Sequence, residues 1–110
     1  MNAPLSSSAL GTAFALQAQL QKLVDHAWST LRAQLEARGA LAEVIDEAQV
    51  VCYELAFSSA EVHAMGALLR YAERCGEAAD LSLETQMALS FAADVIVKVR
   101  LRFERVREDL

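Results

Sequence analysis

The chain has 110 residues, one domain's worth, and a chain of that size buries roughly 65% of its unfolded surface. Apolar residues make up 55% of it, above the usual ~45–50% share. The net charge of −5 argues against nucleic acid or an anionic membrane as partner, because both select for a basic excess.

Residues 1–7, with Pro4 and the serines Ser6 and Ser7, read as a flexible lead-in, and one serine of the run Ser6 to Ser8 is expected to cap the first helix. The opening MNAPLSSSALG has no basic n-region and no long apolar run, so it does not read as a signal peptide. No stretch approaches ~18 consecutive apolar residues, so no membrane span is expected. The cytoplasm is the expected compartment.

A first helix is predicted from there to about Arg38. Its apolar stripe is Leu10, Phe14, Leu20, Val24, Trp28, Leu31 and Leu35, at helical spacing. Gly39 is a natural stop, since glycine tolerates the left-handed conformation. A second helix is predicted from about Ala40 to Cys75, with Gly76 as its stop. Leu41, Val44, Ala48, Val51, Leu55, Ser59, Val62, Gly66 and Leu69 recur in steps of three and four. A second stripe, Val50, Phe57, Ala64, Leu68 and Tyr71, runs along another face. Two stripes predict a central helix packed on more than one side. Small residues such as Ala56, Ser59, Ala60, Ala64, Gly66 and Ala67 would let neighbours approach closely.

The short polar link EAADLS makes the second and third helices antiparallel neighbours, with Asp80 or Ser82 as cap. The third helix is predicted from about Leu83 to near the end, with the stripe Met87, Phe91, Val95, Val99, Phe103, Val106 and Leu110. The fold class is therefore all-α: residues 8–110 form one antiparallel bundle of three long helices. Its apolar excess is expected to be covered by oligomerisation or by a domain outside this chain.

Candidate chemistry is sparse. Glu47, Glu54 and Glu61 repeat every seven residues with His63 close by. The Glu-x-x-His motif of carboxylate metal bundles is absent, because position 60 is Ala60. These residues read as a solvated glutamate edge rather than a metal site. His26 reads as a boundary residue, and Tyr53 and Tyr71 as packing residues with a wet hydroxyl. Ser58-Ser59 lacks the glycines of a nucleophile elbow. Gly11, Gly39, Gly66 and Gly76 are singletons, so there is no phosphate loop. Cys52 and Cys75 read as small core residues in a reducing compartment. The cations Lys98, Arg100, Arg102, Arg105 and Arg107 favour a helix C-terminus and are expected to pair with Glu104, Glu108 and Asp109. No catalytic residue is expected.

The run from Asp46 to Val99 resembles two antiparallel helices of the C-terminal bundle of acyl-CoA dehydrogenases. Gln49, Tyr53, Leu55, Ala56, Glu61 and Val62 match the first helix pattern. Glu84, Met87, Ala88, Phe91, Ala92 and Ala93 match the second. The match covers about half the chain. The family's flavin-contacting Arg-x-x-Phe-Gly has no counterpart, since Arg32-Ala33-Gln34-Leu35 lacks both Phe and Gly. The family's β-domain, its N-terminal helical domain and its catalytic glutamate turn are also missing. The resemblance thus implies a bundle that supplies an oligomer or subunit interface, with no cofactor bound by this chain alone and FAD only in a larger assembly. The interface is expected at Val51, Leu55, Phe57, Val62, Gly66 and Leu69 of the second helix and Phe91, Val95 and Val99 of the third. The alternative is a stand-alone homo-oligomeric helical protein unrelated to any enzyme. Either way the expected partner is a second copy or another subunit, not nucleic acid or membrane.

Overall fold

A computed structural model of the chain describes residues 5–39, 42–75 and 83–106. They form three helices: α1 Leu5–Arg38, α2 Ala42–Cys75 and α3 Leu83–Val106. Among the described residues there is no strand. The helices pack into an all-α bundle of 59 × 22 × 21 Å.

α1 ends where expected. Gly39 adopts φ +78°, the left-handed conformation that side chains disfavour, and its N–H donates to the Glu36 carbonyl at 3.4 Å. The start of α1 differs from the expectation. The backbone is already helical at Leu5, so the serines lie inside the first turns rather than at the cap. Serine costs a helix only a few tenths of a kcal/mol, which the long helix behind it readily absorbs. α2 is described from Ala42 onward, and its expected start at Ala40 lies outside the described residues. Gly76, Asp80 and Ser82, read as stop and caps, lie outside the described residues, as do Arg107, Glu108, Asp109 and Leu110.

α1 and α2 run antiparallel. Gln17 reaches Val62, while Ala27 and Leu31 share a cluster with Ala48, Val51 and Leu55. α2 and α3 are also antiparallel, with Arg102 and Arg105 level with Glu54 and Glu61. The core has two parts. One is built from Val24, Val62, Met65, Leu69, Val95 and Val99 with small residues between. The other holds Leu31, Val51, Leu55 and Val106. Trp28 and Phe103 touch both and join them. Each buried Val or Leu contributes roughly 1.5–3 kcal/mol.

The cysteines depart from their expected place. Cys52 is half-buried and Cys75 is exposed in the last turn of α2.

Candidate assembly surface

The outer face of α2 and α3 is built by helical period. A helix turns ~100° per residue, so a residue two positions from a core residue points the opposite way. Phe57 stands in that relation to the fully buried Leu55, and Ala64 to Val62. Val50, Tyr53, Phe57, Ala60, Ala64, Ala67 and Tyr71 are all exposed and follow one another in alternating steps of three and four. That is the spacing of a coiled-coil seam. Val50 is 66% exposed and Tyr53 64%, values usual for lysines rather than for large apolar residues.

α3 extends the same face. Arg102 points into the α2–α3 seam, so Leu101 and Val97 fall on the outer side, and Leu83 and Met87 continue the line. All four are more than half exposed. Ser90 and Asp94 interrupt this second strip, whereas the α2 strip has no polar break. The second stripe read from the sequence is therefore real in its spacing, but it faces solvent rather than a second packing partner inside the chain. Leu68 is the exception, half-buried beside the core.

Aromatic and charged groups fix one end of this face. The Tyr53 and Phe57 rings lie 4.8 Å apart at 50°. The Arg102 guanidinium sits 5.5 Å from the Phe57 centroid, within cation–π range. Arg102 bridges Glu54 at 3.4 Å and pairs with Glu61; Arg105 adds a contact to Glu54 at 3.2 Å. The side chains of Arg102, Glu54 and Glu61 are 15–20% exposed, so the ion pairs are sheltered. Of the cations expected to pair locally, Arg100 does reach Glu104 at 3.3 Å, and Lys98 reaches Asp94 at 2.9 Å. Arg102 and Arg105 instead staple α3 to α2.

This network also answers the glutamate edge. Glu54 and Glu61 face cations, and His63 lies two positions from Glu61, ~200° around the helix, and is exposed. The side chain of Glu47 is outside the described residues. His26 and both tyrosines are exposed. The Tyr71 phenol is held above its ordinary 10.0, chiefly by its hydrogen bond to Cys75, and Lys98 above 10.5 by its bond to Asp94.

The expected interface residues are placed differently. Val51, Leu55, Val62, Gly66, Leu69, Val95 and Val99 are buried in the chain's own core, and Phe91 is half-buried against it. Their apolar surface is spent on packing α1, α2 and α3 together, because in a three-helix bundle each helix buries one stripe. Phe57 alone remains on the outside. The strip that is exposed adds Tyr53, Ala60 and Ala67 and, on α3, Leu83, Val97 and Leu101, which the sequence reading did not assign to an interface. The alternating three-four step from Val50 to Tyr71 was the signal that marks Tyr53, Ala60 and Ala67.

A groove of about 270 Å³ lies beside Trp28, Leu31, Leu35 and Cys52, with the Arg32–Glu36 ion pair at its rim. No family model, curated protein or solved structure matches the chain.

Proposed function

We propose that this chain is a non-catalytic helical assembly module that associates with a second copy through the outer face of α2 and α3. The observation behind this reading is the unbroken exposed strip from Val50 to Tyr71. Tyr53, Phe57 and Tyr71 alone expose roughly 300 Å² at the 45–64% exposure they carry. With the aliphatic and alanine neighbours the face reaches the order of 600–800 Å², near the ~800 Å² per partner of a standard interface. Its resemblance to the acyl-CoA dehydrogenase bundle extends the proposal. In such a flavoprotein the chemistry and the FAD would belong to parts outside this chain, and this bundle would hold subunits together.

Light scattering after gel filtration tests the reading. A single species at a whole multiple of 12.0 kDa is expected. A monomer at high micromolar concentration would overturn it.

A further inference from the structure

The size of the side chains along the α2 strip is asymmetric. Val50, Tyr53 and Phe57 are bulky and occupy its first half; Ala60, Ala64 and Ala67 occupy the second. We infer that two copies pair antiparallel along α2, with the bulky half of each strip seated on the alanine half of the other. This deepens, and rests on, the self-association proposed above.

The physics is that of facing layers. Helix axes pack 8–10 Å apart, the distance depending on the residues at the contact. In a parallel pair every layer meets itself. Phe57 would face Phe57 and push the axes apart, while Ala64 facing Ala64 needs them close. One straight interface cannot satisfy both, and a loose half forfeits its contacts. In an antiparallel pair the seam positions that share a layer add to a constant. The register that sets Phe57 on Ala60 of the second copy also sets Tyr53 on its Ala64 and Val50 on its Ala67. Each of these layers then holds one large and one small residue, which is how facing positions interdigitate. The same register sets Tyr71 level with the exposed Asp46 of the second copy. The three aromatic rings of each chain lose their exposure, and the outer residues Val97 and Leu101 flank the seam.

Cross-linking with a short bismaleimide reads the arrangement. Both native cysteines are first replaced, Cys52→Ala and Cys75→Ala, and the mass of each variant is confirmed by light scattering. One preparation then carries Val50→Cys and a second carries Ala67→Cys. In the proposed register these positions share a layer, so an equimolar mixture gives a cross-linked dimer. Val50→Cys alone gives none, because its copies stand ~25 Å apart. Self-cross-linking of Val50→Cys with no mixed product would mean parallel pairing, which overturns this inference and leaves self-association standing. An oligomeric mass with no cross-link at either position would place the interface elsewhere and also overturn it. A monomeric mass for the wild-type chain would remove both readings together.

Discussion

Ser58 is the residue whose chemistry fits its surroundings least. It is fully buried, and its hydroxyl finds no hydrogen-bond partner among the described residues. Burying such a group costs ~1–3 kcal/mol. Ser58→Ala is therefore expected to raise stability by about 1 kcal/mol, read as a higher urea midpoint at unchanged slope. Arg102 presents the opposite case. It is sheltered, it bridges Glu54 and Glu61, and its plane lies near Phe57. Arg102→Met keeps the bulk and removes the charge. Glu61 is then left without its cation, and Glu54 keeps only the more exposed Arg105. The expected loss is about 1–3 kcal/mol, between the ranges for exposed and buried pairs. Adding Glu61→Gln should recover part of it; equal instability with and without that change would mean that packing, not charge, is what Arg102 supplies.

At the scale of the helix, Gly66 faces α1 at Gln17. A Cβ there would lie 2.9 Å from Gln17 Nε2 and 3.1 Å from an Arg70 guanidinium nitrogen. Both are ends of flexible side chains, and Gln17 also donates to the Val62 carbonyl at 3.5 Å. Gly66→Ala should be close to neutral, since the gain in helix propensity, up to ~1 kcal/mol, offsets a small shift of Gln17. Gly66→Leu should lose ~1–3 kcal/mol by overpacking, visible in the thermal midpoint. Helix identity was legible from such local signals. Periodicity located all three helices, and Gly39 marked the end of α1. The direction of the second stripe on α2 was not legible. An apolar strip that packs on a neighbour within the chain and one that faces solvent have the same spacing. Only the placement of α1 and α3 on one side of α2 separates them. The staple from Arg102 to Glu54 and Glu61 was hidden for a related reason. Residues far apart in sequence become neighbours only once the α2–α3 register is set, and the local partner Glu104 was equally well spaced for a cation one turn earlier.

At the scale of the molecule, the chain forms a rod whose core is complete on one side of α2 and whose other side carries a continuous apolar strip. Among the described residues, eight large apolar side chains on α2 and α3 lie exposed, which explains where much of the surplus in the composition resides. If the strip is covered by a second copy, folding and association are linked, and mass action makes the thermal midpoint rise with protein concentration. A midpoint that stays constant over a hundredfold dilution would show that association adds nothing to stability.

The most direct measurement is the solution mass of Ala64→Glu beside the wild type at the same concentration. Ala64 is exposed in the single chain, and glutamate is a good helix former, so the fold has no reason to suffer. At the seam, however, the change buries a charge against an aromatic ring. The wild type is expected at a multiple of 12.0 kDa and the variant at 12.0 kDa, with the same helical circular dichroism. A variant that keeps the wild-type mass, or a wild type that is itself a monomer, would contradict assembly through this face.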